Sequence, residues 1–109
     1  MSGLSTKGKL VVDSGCAQAL KKRKGSLLAV GIAGVEGKFE RGDVVDIYDP
    51  DGARCASGLT NYNSEDIERI KGVQSRKIAT VLGHDYGAEV VHRNNLVVLE
   101  TGMTRRKRG

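Results

Sequence analysis

The chain has 109 residues, of which 39% are hydrophobic and 28% are charged, with 15 glycines and one proline. This length suits one domain with a modest core and is too short for most two-domain enzymes. The net charge is +5, but residues 105–108 (RRKR) hold four of the 18 basic residues. That leaves 14 basic against 13 acidic residues, so the rest of the chain is nearly neutral. No stretch approaches the roughly 20 apolar residues of a membrane-spanning helix, and the start does not resemble a signal peptide.

The two cysteines, Cys16 and Cys55, are isolated thiols that belong to no C-x-x-C pair. This usage favours free, mostly buried cysteines in a reducing, cytoplasmic setting. Aromatic residues are scarce, so the core must be built from Val, Leu, Ile and Ala.

The first part of the chain predicts a strand, a helix and a second strand region. Residues 8–13 (GKLVVD) form a short β-branched run that is typical of a strand. Ser14 is a good helix N-cap, and the helix predicted from there ends at Gly25 in a left-handed conformation. Residues 26–37 (SLLAVGIAGVEG) then predict an apolar strand region interrupted by glycines.

The strongest β signal is a hairpin over residues 44–59. Its first strand, VVDIYD, leads into DPDG, where Pro50 suits the second position of a type I turn and Gly52 the left-handed position after it. The segment ARCASGL returns as the second strand. Gly42 and Asp43 predict a turn that directs the chain into the sheet.

Two short helices and one or two closing strands are predicted for the remainder. Asn63 or Ser64 caps a helix that Gly72 ends, and Ser75 caps another that Gly83 ends. The segment HDYGAEVVHRNNLVVLE supplies the closing strands. The predicted order is β-α-β-β-β-α-α-β, which indicates a mainly β protein with short helices, folded as a small mixed β-barrel.

Residues 31–39 (GIAGVEGKF) raise the question of a phosphate-binding loop, because three glycines precede a lysine. A P-loop needs a glycine five positions before the final glycine, where this chain has isoleucine, and a hydroxyl residue after the lysine, where it has phenylalanine. The dinucleotide fingerprint also fails, because the spacing is G-x-x-G-x-x-G and no helix signal follows. Gly31 and Gly34 are therefore predicted to allow a β-bulge or a close backbone approach.

Catalytic and metal-binding patterns are not recognisable in the sequence. His84 and His92 lie eight residues apart, and neither is near a nucleophile motif. Together with the cysteines they form no short pair of ligands, so structural roles are favoured over a zinc site. No catalytic residue and no metal ligand is assigned.

A cluster of basic residues lies at the end of the predicted first helix: Lys21, Lys22, Arg23 and Lys24. Cations there stabilise the helix dipole by about 0.3–1 kcal/mol each and need no ligand. Basic clusters also neutralise nucleic-acid backbones, and four consecutive cations cannot all serve one dipole. The residues alone leave both interpretations open. The RRKR segment is typical of a solvated tail that also strengthens nonspecific binding.

Residues 9–62 resemble a PUA domain, a compact pseudo-barrel found on pseudouridine synthases, archaeosine transglycosylases and other RNA-modifying proteins. The resemblance rests on the capped first helix followed by SLLAVGI, F-x-x-GD-V-V-x-I and G-x-x-NY. The second half is similar to the C-terminal PUA domain of the bacterial glutamate 5-kinase (gamma-glutamyl kinase) family. It carries NYNS, IKG, S-x-x-I, LG-x-x-Y and VVHRNNLV in that order, and the similarity covers about residues 8–99.

This resemblance implies a parent enzyme that phosphorylates L-glutamate to glutamate 5-phosphate with ATP, the first step of proline biosynthesis. ATP, magnesium, glutamate and proline would bind an N-terminal amino-acid-kinase domain, which would be this domain's partner. This chain alone would be noncatalytic and free of cofactors, with a regulatory or architectural role in a cytoplasmic enzyme that could be oligomeric. It would be an excised C-terminal domain or a natural relative without the kinase.

In PUA domains that bind RNA, the first helix, the glycine-bearing strand and the closing strand grip structured RNA. Carried over residue by residue, the resemblance implies these RNA-binding candidates: Lys21, Lys22, Arg23, Lys24, Ser26, Gly31 and Arg93. The nearly neutral body and the few aromatic residues depart from a general single-strand binder, which needs stacking platforms. The expected organisation is an arm or linker at residues 1–7, the PUA domain at 8–100 and a basic, disordered tail at 101–109.

Overall fold

The computed structural model describes residues 7–22 and 25–98. The strands are β1 (Gly8–Val12), β2 (Leu27–Leu28), β3 (Ile32–Gly37), β4 (Val44–Tyr48), β5 (Arg54–Leu59), β6 (Glu89–Val91) and β7 (Leu96–Val98). The helices are α1 (Ser14–Lys21), α2 (Ser64–Ile70) and α3 (Ile78–Leu82), and 3-10 turns lie at Ala29–Gly31, Ser75–Lys77 and Arg93–Asn95. Among these residues, no helix has the length and apolar character needed to cross a bilayer.

The strands form a mixed five-stranded sheet and a small two-stranded one. The larger sheet has the order β3-β1-β4-β5-β7, with β1 parallel to β4 and the other neighbours antiparallel, and β2 pairs antiparallel with β6. Because β3 and β7 are edge strands in the described part, the hydrogen-bond ladder of this sheet does not close on itself. The prediction of a mainly β mixed pseudo-barrel with short helices is confirmed.

The core lies between the inner face of this sheet and the helices that cover it. Alternate residues of β1 and β4 point inward, and Leu10 and Ile47 have no exposed surface. Ile67 of α2 and Ile78 of α3 are also completely buried, as the apolar faces of the predicted helices require. Burying one such side chain contributes about 1.5–3 kcal/mol relative to leaving it exposed.

Helix capping follows the predictions at some ends and departs from them at others. Asn63 caps α2, and its side-chain oxygen accepts from the amide three residues later at 2.8 Å, as predicted. The N-cap of α1 is Asp13 and not Ser14, because Asp13 has extended backbone and its Oδ1 accepts from the amide of Cys16 at 2.7 Å. Ser75 is not a side-chain cap either, since it begins a 3-10 turn that precedes α3.

The predicted strand region over residues 26–37 is two strands in different sheets. The 3-10 turn at Ala29–Gly31 separates β2, which pairs with β6, from β3, which pairs with β1. In the second pair, Val11 lies opposite Gly34 and the next pair joins Val12 to Ile32, so one residue of β3 is extra. This irregularity confirms the predicted bulge at the glycine strand. The chain then turns into β4, with no helix after the glycines.

The hairpin between β4 and β5 has the predicted turn. Gly52 has φ of +91°, and its amide donates to the carbonyl of Asp49 at 3.1 Å. The Asp49 carboxylate accepts from the amides of Ala53 and Asp51, both at 2.9 Å. The hydrogen bond from the Ala53 amide is the largest cause that holds the pKa of Asp49 below its usual value. The Asp51 amide and the nearby Lys21 ammonium lower it further.

Candidate nucleic-acid interface

The predicted basic cluster lies at the end of α1, which stops at Lys21 and not at Gly25. Lys21 Nζ lies 3.4 Å from Asp49 Oδ2, and the Asp49 side chain is only 10% exposed. Lys21 therefore pairs with the β4–β5 turn. Lys22 follows the helix and is exposed. Arg23 and Lys24 lie outside the described residues, so the structure describes only Lys21 and Lys22 of this cluster.

Two of the other candidates, Ser26 and Arg93, meet although 67 residues separate them. Ser26 Oγ accepts a hydrogen bond from the amide of Arg93 at 2.9 Å. The pairing of β2 with β6, in which Leu27 lies opposite Val91, positions the two segments. The Arg93 side chain is exposed and forms no ion pair with another residue in the ranges that the structure covers. Its guanidinium is thus available for an anionic ligand.

Gly31 lies at the end of the 3-10 turn and packs directly against α1. A Cβ at this position would be 2.8 Å from both Cβ and Sγ of Cys16. The Gly31 carbonyl also accepts from the amide of Asp13 at 3.0 Å. Gly31 is buried, so the glycine permits close packing of the helix on the turn. Gly34 differs, because a Cβ there would meet only Val11 Cβ at 3.8 Å.

Two hollows flank the contact between Ser26 and Arg93. The first, of about 420 Å³, is a groove between α1 and the segment from β2 to the 3-10 turn, and Cys16, Ser26, Leu28 and Gly31 are among its lining residues. The second, of about 240 Å³, is lined by Gly25, Arg93, Asn94, Leu96 and Val98. Ser26 and Gly31 therefore share one groove, and Arg93 borders the neighbouring hollow.

Both cysteine thiols have raised pKa values. Burial, and to a smaller extent the nearby Asp13 carboxylate, raise the pKa of the Cys16 thiol to about 11. A thiol with this pKa is protonated at neutral pH and is a poor nucleophile. Cys55 is fully buried whereas Cys16 is only partly buried, and burial also raises the pKa of the Cys55 thiol.

Both histidines make structural contacts. His84 Nε2 lies 2.9 Å from Asp66 Oδ2, and His92 Nδ1 accepts from the amide of Asn94 at 3.1 Å at the start of a 3-10 turn. Within residues 7–22 and 25–98, no three His, Cys, Asp or Glu side chains are grouped so that they could hold a metal ion.

An exposed aromatic group was not foreseen from the sequence. The Tyr86 ring is stacked by the Arg41 guanidinium at 3.9 Å, and the His84 ring lies 4.9 Å away. The Tyr62 hydroxyl accepts from the Tyr86 amide at 2.9 Å and donates to the Gly87 carbonyl at 2.7 Å. Because Arg41 covers one face of Tyr86, that face is not free for a nucleobase. No local motif connects residues so far apart in the chain.

Comparison with known proteins places this geometry in context. The family model described as PUA domain matches residues 8–82. Among curated proteins, the glutamate 5-kinase of Dehalococcoides mccartyi strain CBDB1 is 52% identical over 99 residues, which are 91% of this chain and 26% of the relative. The glutamate 5-kinase of Dictyoglomus thermophilum is 47% identical over 95 residues, 87% of this chain and 26% of the relative. The chain thus spans about a quarter of the length of these relatives.

Solved structures have the same fold. A PUA domain from Aeropyrum pernix K1, crystallised as a tartrate complex, superposes with a TM-score of 0.58 at 30% identity. The match covers 79% of this chain and 41% of the Aeropyrum chain. The archaeal box H/ACA sRNP Nop10-Cbf5 complex gives a TM-score of 0.53 at 22% identity, over 61% of this chain and 21% of that chain. The second likeness concerns the fold alone.

Proposed function

The chain belongs to the PUA domain family, and on that premise we propose that it is the noncatalytic, regulatory or architectural domain of a glutamate 5-kinase. The observation that carries the proposal is the 52% identity over 91% of the chain, confined to 26% of the kinase's length. The parent enzyme would phosphorylate L-glutamate with ATP in the cytoplasm, as the first step of proline biosynthesis. The chemistry would belong to an N-terminal amino-acid-kinase domain.

ATP and magnesium are assigned to that kinase domain, because the residues described here do not fit them. The glycine strand leads into a turn and then β4, so it lacks the helix N-terminus that a phosphate-binding loop uses. Among residues 7–22 and 25–98, no group of three acidic or histidine side chains could hold a metal ion.

Removing the domain from a relative tests the proposal. The Dehalococcoides kinase would be compared with a form that lacks the 99 matched residues. We expect the truncated enzyme to keep ATP turnover but to change in its inhibition by proline, in its number of subunits, or in both. The measurements are initial rates against proline concentration and the number of subunits from sedimentation velocity. Unchanged inhibition and an unchanged number of subunits would exclude a regulatory or architectural role.

A second candidate function is binding of structured RNA. The supporting observation is the contact between Ser26 and Arg93, which brings two candidates together beside the groove that Gly31 lines. Arg93 and Lys22 are exposed cations on segments that adjoin this region. Exposed cations on segments beside a groove can hold the phosphates of a folded RNA end.

A salt-dependent titration separates RNA binding from the purely regulatory role. A fluorescent tRNA-like hairpin should bind this chain at about 50 mM salt and weaken steeply toward about 200 mM. Arg93→Ala should lower affinity and reduce the slope of log affinity against log salt by about 1. Lys22→Ala should weaken binding more than Lys21→Ala, because Lys21 already pairs with Asp49.

Lys77→Ala is the matched control, since it also removes an exposed charge, but from another 3-10 turn. Loss of affinity equal to that of Arg93→Ala would show that binding is diffuse. No binding at about 50 mM salt would exclude the RNA hypothesis.

A further inference from the structure

The outer face of the five-stranded sheet carries an uncovered apolar patch that the proposed function does not use. Val44 of β4, Leu59 of β5 and Val97 of β7 are 41%, 40% and 62% exposed. We name these three side chains the outer patch. Large apolar side chains on one uncovered sheet face are typical of an interaction surface when they are contiguous.

The strand register makes the outer patch contiguous. Val44 lies directly opposite Leu59 in the β4–β5 pair, and Val97 lies opposite Ser57 in the β5–β7 pair. Ser57 and Leu59 are two residues apart on one strand, so their side chains share a face. Val97 is thus a diagonal neighbour of Leu59, within reach of a common contact.

Charged pairs lie on the same sheet face, beyond the outer patch. Lys9 Nζ lies 3.8 Å from Glu36 Oε2 and 4.5 Å from the centre of the Tyr48 ring. Arg54 pairs with Asp46 at 3.5 Å on the neighbouring strands. These pairs make one end of this sheet face charged. An apolar centre with a polar border is the usual anatomy of a binding surface.

A hollow extends the outer patch at the end of the sheet. It encloses about 390 Å³ and is lined by Arg41, Gly42, Leu59, Thr60, Asn61 and Asn95. Leu59 belongs to both features, so apolar area and hydrogen-bonding side chains adjoin without a break. This combination can accept a protruding element of a folded partner.

The position where the chain enters the sheet indicates the occupant. The Lys7 amide donates to the carbonyl of Val44 at 3.0 Å, so Lys7, the residue immediately before β1, lies beside the outer patch. Under the function proposed above, on which this inference rests, the kinase domain precedes that point and makes up about three quarters of the parent chain. A domain tethered there has a high effective concentration at the patch.

We propose that the outer patch and its adjoining hollow are the surface on which the kinase domain of the parent protein docks. Inter-domain surfaces of this kind are modest in area and more polar than a core, which matches three apolar side chains bordered by charged pairs and amides. The groove beside Ser26 and Arg93 then stays free on another part of the molecule.

Amide hydrogen exchange in a chimera locates the docking surface. The chimera is the Dehalococcoides kinase with its matched segment replaced by this chain, compared with the isolated 109-residue chain. We expect exchange in the chimera to slow by about tenfold or more in peptides covering residues 41–44, 57–61 and 95–97, and to be unchanged at 26–31. Equal exchange in the two proteins, or slowing confined to other segments, would overturn the proposal.

A charged double variant provides a second test. Leu59→Lys with Val97→Lys should abolish the tenfold slowing in the chimera, whereas Val30→Lys, which alters a 50% exposed valine on a 3-10 turn, should keep it. The isolated double variant should melt close to the unchanged chain, because exposed positions tolerate substitution. Retained protection in the double variant would contradict the proposal.

The kinase assay separates failure of this inference from failure of the proposed function. If the double variant of the chimera loses protection but keeps its proline inhibition unchanged, the kinase domain docks on the outer patch without being regulated through it. A domain that alters proline inhibition yet shows no protection at residues 41–44, 57–61 and 95–97 would refute this docking surface and leave the proposed function standing.

Discussion

Substituting Gly31 by alanine should destabilise the domain for a purely steric reason. The new methyl would lie 2.8 Å from two atoms of Cys16, well inside the roughly 3.5–4.0 Å of a normal carbon contact. Gly31 does not have left-handed backbone, so backbone strain adds nothing to this clash. Helix α1 cannot move away cheaply, because its Ala17 and Leu20 are each only 2% exposed in the core.

The size of the effect follows from overpacking in a closely packed interior. Such insertions cost about 1–3 kcal/mol. A domain of this size loses about 4–8 °C in Tm for each kcal/mol. Gly34→Ala is the matched control on the same strand region, since its new methyl would meet only Val11 Cβ at 3.8 Å. We expect Gly34→Ala to change the free energy of unfolding by less than about 0.5 kcal/mol.

Urea denaturation followed by circular dichroism measures these differences, and a double-mutant cycle assigns their cause. Cys16→Gly removes both atoms that Gly31→Ala would strike, at a helix-propensity cost of about a few tenths of a kcal/mol. The double variant should therefore be more stable than the sum of the two single changes predicts. Equal stability of Gly31→Ala and Gly34→Ala, or strict additivity in the cycle, would refute the steric explanation.

Three further predictions concern other contacts of the fold. Tyr62→Phe leaves the Tyr86 amide without its acceptor and should cost about 1–3 kcal/mol in urea unfolding, and a neutral effect would contradict the observed hydrogen bond. Asn63→Ala should cost about 0.5–2 kcal/mol by loss of the α2 cap, with Asn63→Asp as the control that keeps it. The Ala53 amide and other donors lower the pKa of Asp49 from 3.8 in the folded state, so its contribution is present above about pH 4 and lost as pH falls further. The difference in Tm between the unchanged chain and Asp49→Asn should therefore shrink in acid, and a constant difference would contradict this assignment.

Features set by neighbouring residues could be predicted from the sequence. The cap at Asn63 and the turn ending at Gly52 depend on contacts within about four residues, which a short motif contains. The α1 cap was misplaced by one position because Asp13 and Ser14 both have suitable side chains. Only the backbone conformation decides between them, and Asp13 is the extended residue.

Features set by distant residues could not be predicted in the same way. The 3-10 turn at Ala29–Gly31 divides an apolar run whose two halves pair with different partners, and periodicity does not reveal a change of sheet. The contact between Ser26 and Arg93 and the pairing of Lys21 with Asp49 join residues 67 and 28 positions apart. The resemblance assigned these candidates to one surface, but Lys21 contacts the β4–β5 turn instead of the groove.

The measurement that tests the central claim most directly is restoration of proline inhibition by this chain. Three proteins would be compared: the complete Dehalococcoides kinase, the same enzyme without its 99 matched residues, and the chimera that carries this chain in their place. A regulatory role predicts that truncation shifts the inhibition curve and that the chimera returns it to the position of the complete enzyme. A chimera that behaves like the truncated enzyme, or three curves that coincide, would contradict a regulatory role for this domain.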